Sequence, residues 1–315
     1  MRAAILFGPE DLRVEDVPEP AGDVIVEVQA ATSCGTDVKM WRHGHPILPP
    51  YPCAFGHETA GVRTDTGERV LVSDSVACGS CAACSRGRAQ ICRDPTWILG
   101  GFAERIAAPE RALHPIPPGL PAAAAAMAEP LAAAVHAVAR GTEAADAGIL
   151  GGGPMGLMLA SLLVAQGRSV TVADHHPERR AQAVQVGARG AARLDEHHEL
   201  VFEAVGRPEA WRDAVQAAAP GGVVVLVGGC PRGTDVCLAT GPIHYDELEL
   251  RGSFHHARTD VDVALSALAA GTVDWELLRG ATISLEQLPV ALAQRPSGAA
   301  RKWVVDPMLR TSGRP

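Results

Sequence analysis

The sequence predicts an α/β protein in which a doubly wound parallel sheet is joined to a β-rich region. Three observations carry that expectation. Residues 1 to about 130 hold β-branched runs bounded by Gly, Pro and Asp. From about Leu131 to Gly252, Ala/Leu-rich helical segments alternate with short strand-like runs, as a parallel sheet with crossover helices requires. Between them, a glycine-rich turn follows an apolar run and opens an apolar helix. A chain of 315 residues exceeds one compact core and suffices for two modest domains.

Taken in order, "DVIVEVQAATS" and "ERVLVSDSV" read as strands of the first region. The Ala run at 122–126 reads as plain helix. "GIL", "SVTVAD", "LVFEAVG", "GGVVVLVGG" and "LELRGS" supply the strands of the second region. After His256, "TDVDVALSALAAG" has apolar residues at helical spacing, with Gly271 as its stop. The final stretch, "ATISLEQLPVALAQRPSGAARKWVVDP", is mixed. Aromatic residues make up only 4%, so Ala, Val, Leu and Ile must fill the core.

Composition excludes several classes. Hydrophobic residues at 47% and charged residues at 20% are ordinary for a globular chain. A net charge of −8 argues against a nucleic-acid or anionic-membrane binder, which needs excess basic charge. The N-terminus turns acidic too early for a secretory signal. "LPAAAAAMAEPLAAAVHAVA" is broken by Glu129, Pro130 and His136 and does not read as a membrane span. A reducing cytoplasm is therefore expected, where clustered cysteines serve as metal ligands or redox thiols.

The glycine turn is "GILGGGPMGLMLASLLVAQGRSVTVAD", with Gly151, Gly153 and Gly156 in a G-x-G-x-x-G pattern around Pro154 and Met155. Such glycines let the backbone approach a pyrophosphate, whose charge sits at the helix N-terminus. Asp174 ends the next strand, where a carboxylate binds ribose hydroxyls and repels a 2′-phosphate. Arg179 and Arg180 follow and keep NADP open, but Asp174 favours NAD.

Four of the eight cysteines fall in "CGSCAACSRGRAQIC", giving Cys78, Cys81, Cys84 and Cys92. On a turn-rich loop this spacing can close a tetrahedron around zinc. An iron–sulfur cluster uses the same ligands, and a redox pair is a third reading. Arg86, Arg88 and Arg93 read as solvated charges on that lobe. Upstream, "SCGTD" offers Cys34, "FGHE" offers His57 and Glu58, and "AEPL" offers Glu129. Thiolate, imidazole and carboxylate together can leave a coordination position open, as a catalytic zinc requires.

With "CGTDVKMWRHG", "GHETAG", the cysteine lobe, "GGFAE", "EPLAAAVHA" and "GGGPMG" in this order, the chain resembles the zinc-dependent medium-chain dehydrogenase/reductase family, the alcohol dehydrogenase superfamily. The likeness is to its sorbitol and polyol dehydrogenase branch. It implies a GroES-like catalytic domain over 1–130, a Rossmann domain over 131–256, and a return to the catalytic domain over 257–315. It further implies one catalytic zinc on Cys34, His57 and a carboxylate, Glu58 or Glu129, and one structural zinc on the four-cysteine lobe. A bound alcohol would lose its proton easily at such a zinc and pass hydride to the nicotinamide, or a ketone would be reduced in reverse. Thr36 matches the family hydroxyl that takes the substrate proton. Homodimers or homotetramers are usual in the family, and the edge of the "GGVVVLVGG" sheet would be the joining surface.

Departures from the family pattern are visible. Lys39 replaces the usual relay histidine; it either shuttles a proton with a depressed pKa or faces solvent. "VQVGARGAARLDEHHELVFEAVG" leaves little room for a helix. His255 and His256 stand where polyol dehydrogenases carry an Arg-Tyr pair. Trp41 is read as either pocket lining or packing. Cys53, Cys230 and Cys237 are expected in the core, and His175–His176 and His197–His198 at the surface. The competing class is a non-enzymatic zinc-binding or redox-thiol protein using the four-cysteine lobe alone.

Overall fold

In the computed structural model, residues 1–294, 298–299 and 301–310 are described. The last five residues of the expected 257–315 return therefore lie outside the described residues. The strand Val24–Thr32 is the axis of the first region. Its Val24, Val26 and Val28 alternate inward, joining Val70, Val72 and Ile106 in one core. Along one edge it pairs antiparallel with Thr59–Arg63. The other edge takes Arg105–Ala108 through Val24–Glu27 and, farther along, the C-terminal strand Lys302–Val305, with Val304 opposite Thr32. A smaller sheet, built on the hairpin Arg2–Gly8 and Asp11–Asp16 with Cys53–Ala54, covers this region.

The second region is a six-stranded parallel sheet. In chain order its strands are Asp146–Leu150, Ser169–Ala173, Arg189–Ala191, His198–Glu203, Ala218–Leu226 and Glu249–Gly252, and in space they run 3-2-1-4-5-6. The order reverses at Asp146–Leu150, the place where such sheets open a crevice for ligands. Ala147, Ile149, Val172, Leu200, Phe202, Val223 and Val225 face helices Ala128–Ala139, Pro154–Ala165 and Arg258–Ala269 in one large core. The last of these helices stops at Gly271, whose φ of +72° suits a glycine beyond a helix end.

The opposite face is thinner. Residues 192–197 cross from the third strand to the fourth with no helix, as the short sequence between them suggested. Leu194 and His198 lie directly over Gly148, where a Cβ would stand 2.8 Å from Leu194 Cδ1 and 2.6 Å from His198 Cδ2. Glycine is thus required there by the approach of the trimmed crossover. This corrects the surface assignment of His198: it is buried, and its Nδ1 bonds Asp146 Oδ2 at 2.6 Å. Strand alternation turns His198 inward while His197 stays exposed. His175 and His176 are exposed as expected.

Cys53 is buried, but Cys230 is half-buried and Cys237 exposed, because both follow the end of the strand Ala218–Leu226 on an irregular segment. Trp41 packs in the core of the first region with Met40, Phe55 and Leu288. The run Ala122–Ala126 is a short helix with Ala124, Ala125 and Ala126 buried. Among the described residues, no helix is long and apolar enough to cross a membrane.

Candidate active site and metal centres

Cys34 sits just beyond the central strand and caps the helix Gly35–His43. Its Sγ accepts from the Thr36 N–H at 3.4 Å, and its own N–H donates to Asp37 Oδ2 at 2.7 Å. This reciprocal cap fixes the thiol at the helix start. Asp37 is fully buried, and its Oδ1 lies 3.0 Å from His57 Nδ1 without hydrogen-bond alignment. Burial pushes the His57 imidazole down, but the charge of Asp37 outweighs it and holds it well above its ordinary value.

Glu58 is fully buried beside them. Its Oε1 accepts from Lys302 Nζ at 2.8 Å, and its Oε2 accepts from the Thr32 hydroxyl. Burial raises its carboxyl to about 7 against the pull of Lys302. Burial disfavours the Lys302 ammonium, yet the Glu58 charge raises it overall. Ligand atoms of Cys34, His57 and Glu58 all lie within 4.8 Å of one another. A soft, a borderline and a hard donor converge with the thiol side partly open, which suits a zinc with a free position.

Glu129 begins the helix Ala128–Ala139 and is buried. The structure gathers it with Asp74, His255 and His256 rather than with Cys34 and His57, although its charge still raises Glu58 and Lys302. Thr36 is half-buried in the first turn beside Cys34. Lys39 is exposed, which decides between its two readings in favour of solvent. His45, not singled out from the sequence, is pushed down by burial and by the charges of Arg232, Lys39 and His57.

The four-cysteine lobe is built from two short 3-10 turns, Cys84–Arg86 and Ala89–Ile91. Its sulfurs stand 4.0 Å (Cys78–Cys84), 3.5 Å (Cys81–Cys84) and 3.9 Å (Cys81–Cys92) apart. Tetrahedral zinc with bonds near 2.3 Å sets sulfurs about 3.8 Å apart, so the donors fit that ion. The backbone N–H groups of Arg93 and Cys84 lower the Cys81 thiol to about 6. Desolvation and the neighbouring sulfurs push Cys84 up to about 12. A cation would release that crowded proton.

At the glycine turn, Gly156 passes so close to Gly151 that a Cβ would stand 1.8 Å from the Gly151 carbonyl oxygen. Gly151 has φ +98°, and Gly153 leads into Pro154 and Met155 at the start of Pro154–Ala165. No Cβ fits at Gly156 in this tight turn, while the space beside Gly153 is open for the backbone to meet a pyrophosphate, so the cradle suits a dinucleotide. Asp174 Oδ2 accepts from the Gly152 N–H at 2.8 Å and lies 3.3 Å from Arg179 Nη1. Burial raises this carboxyl, but the N–H groups of His176 and Gly152 and the Arg179 charge lower it overall.

Four functional partners escaped the sequence reading: Asp37, Thr32, Lys302 and Asp74. Asp37 was signalled by its place three residues beyond a helix-capping Cys34. Lys302 lies 244 residues from Glu58 in the chain and gives no local signal.

Residues 20–118 match the alcohol dehydrogenase GroES-like domain, and residues 154–270 match the zinc-binding dehydrogenase domain. An L-threonine 3-dehydrogenase of Chelativorans sp. (strain BNC1) is 30% identical, covering 97% of this chain and 98% of its own. A sorbitol dehydrogenase of Bacillus subtilis (strain 168) is 28% identical, covering 93% of this chain and 92% of its own. A zinc-binding dehydrogenase from Sinorhizobium meliloti 1021, solved with NADP bound, superposes with a TM-score of 0.90 at 28% identity, covering 97% of this chain and 99% of that one. A GroES-like β-rich region, a Rossmann sheet and relatives aligned along nearly the whole chain lead to one assignment: the chain belongs to the zinc-dependent medium-chain dehydrogenase/reductase family of the alcohol dehydrogenase superfamily.

Proposed function

We propose that this alcohol-type dehydrogenase transfers hydride between a secondary alcohol of the polyol or sugar-alcohol type and NAD. The observation that carries the reading is the convergence of Cys34, His57 and Glu58 on one open position. In this reading residues 1–130 and 257–315 form the catalytic unit around the cofactor unit 131–256, with the helix Arg258–Ala269 packed across the join. The chain works in the cytoplasm as a homodimer or homotetramer. The free sheet edge Glu249–Gly252 supports such assembly.

Cys34, His57 and Glu58 would hold the catalytic zinc, and Cys78, Cys81, Cys84 and Cys92 the structural one. When bound, the catalytic ion supplies Lewis acidity that eases loss of the alcohol proton. Asp37, 3.0 Å from His57 Nδ1, would orient that ring towards the ion. Lys302 and Thr32 hold the Glu58 carboxylate in place. Glu129, gathered with Asp74, His255 and His256, stands apart from those three ligands, and Thr36 would take the departing proton. Lys39 faces solvent, so the proton leaves through water rather than along a side-chain relay. Gly151, Gly153, Pro154, Met155 and Gly156 cradle the pyrophosphate, and Asp174 with Arg179 meets the adenosine ribose. Asp174 supports NAD over NADP, since its carboxylate stands where a 2′-phosphate would need a cation.

The test is hydride transfer to NAD and to NADP with sorbitol and L-threonine, the substrates of two named relatives, beside a panel of other polyols. Activity with a polyol and NAD is expected. L-Threonine as the better substrate, or a preference for NADP, would overturn the respective part of the reading.

A further inference from the structure

Asp74, Glu129, His255 and His256 come from three separate segments, and nothing in the dehydrogenase reading explains why they meet. Asp74 lies between strands Arg69–Val72 and Ser75–Val76, Glu129 begins a helix of the cofactor side, and the histidines follow the last parallel strand. One ligand atom from each lies within 4.8 Å of all the others. His255 Nε2 is 3.0 Å from Asp74 Oδ1 and 2.8 Å from Oδ2. His256 Nε2 is 3.7 Å from Asp74 Oδ1 and 3.4 Å from Glu129 Oε1. Tetrahedral coordination with bonds near 2.1 Å would set such donors roughly 3.4 Å apart, so the spread brackets the needed spacing.

Three further observations point to a ligand rather than to a closed hydrogen-bond set. His256 is only 5% exposed, and among the described residues its Nε2 has no partner in a well-formed hydrogen bond, Glu129 Oε1 standing 3.4 Å away. A buried imidazole nitrogen aimed at two carboxylates at 3.4 and 3.7 Å is costly unless something joins them. His255 has φ +58°, a left-handed backbone that an ordinary residue adopts only at a cost. That twist lets its ring stack on His256, with centroids 4.3 Å apart, so that both Nε2 atoms face Asp74. A cleft of about 290 Å³ lined by Ser73, Ser75, Trp97, His255 and His256 opens the cluster to solvent.

We propose that Asp74, His255 and His256, with Glu129 in the fourth position, form an additional divalent transition-metal site, separate from the Cys34 site and from the cysteine lobe. The donors are imidazole and carboxylate with no thiolate, a set that takes zinc, cobalt(II) or a neighbouring first-row ion and holds it less tightly than four thiolates do. An ion there would tie the catalytic sheet to the end of the cofactor sheet. The site therefore fills according to the free ion concentration, and filling stiffens the joint between the two units.

Cobalt(II) tests this directly, because thiolate ligands give it an intense near-ultraviolet charge-transfer band and imidazole and carboxylate do not. The full-length protein, holding two zinc ions per chain, is dialysed to equilibrium against cobalt(II), and bound cobalt is counted per chain. One cobalt without the thiolate band is expected, together with a rise in the thermal midpoint as free cobalt increases. Asp74→Asn and the double variant His255→Asn/His256→Asn should each lose that cobalt and the rise. No cobalt bound in the wild type beyond that carrying the thiolate band would overturn the site whether or not the variants fold. Retention of the cobalt in folded variants would do so equally. A Cys34→Ala variant keeps the outcomes apart: its loss of an ion reports on the dehydrogenase reading, while the thiolate-free cobalt reports on this one.

Discussion

The four-cysteine lobe and the Cys34 site solve the same problem, holding a cation, by opposite means. In the lobe all donors fall between Cys78 and Cys92, on turns with no core of their own. At the Cys34 site His57 and Glu58 are buried and Cys34 half-buried, and the residues that hold them come from elements far apart in the chain. Cys34 needs the cap by Asp37, and Glu58 needs Thr32 and Lys302. A lobe of this kind is ordered by its ion, whereas the buried site is ordered by the fold and receives its ion afterwards.

The sharpest way to break that contrast is Cys81→Ser. The lobe should lose its ion and the roughly 10 kcal/mol or more of local ordering that comes with structural zinc. Limited proteolysis should then cut within residues 78–92, while the ion at Cys34 stays. Loss of both ions together would show that the two regions are not independent. Lys302→Met should act on the other side. It leaves Glu58 buried without its cation, a change of about 3–5 kcal/mol in unfolding free energy by denaturant titration. Lys302→Arg should recover most of it, and the lobe ion should be retained. An unchanged denaturation midpoint in Lys302→Met would mean that the fold does not depend on this pair.

A smaller effect is expected at the cofactor turn, where Asp174 ties Gly152 and Arg179 together. Its folded pKa lies below the unfolded one, so its contribution is complete above about pH 4 and fades as pH falls through the lower folded value. Asp174→Asn should cost about 1–2 kcal/mol at pH 7 and flatten that part of the acid dependence. Acid denaturation curves of equal shape for both proteins would contradict it.

These contrasts also explain what could be read from the chain alone. The lobe and the glycine turn were legible because their chemistry is local: spacing within fifteen residues or fewer fixes which atoms meet. Cys34, His57 and Glu58 were recognisable only through their surrounding motifs. Lys302 was not, since a lysine beside Trp303 in a mixed C-terminal run looks like any other until the strand docks beside Thr32. Likewise, nothing near Asp74 in sequence announces the two histidines that face it. His198 was misplaced for a related reason. The missing helix was noticed, but its consequence, a crossover lying against Gly148, needs the sheet itself.

The most direct measurement is the metal content of the purified protein and of Cys34→Ala, taken with NAD-dependent polyol oxidation by both. The variant should hold one zinc fewer than the wild type, keep the lobe ion, and lose at least about a thousandfold in turnover, as removal of a catalytic metal's contribution of several kcal/mol implies. Equal zinc in the two proteins, or turnover that survives the substitution, would contradict a catalytic metal at Cys34, His57 and Glu58.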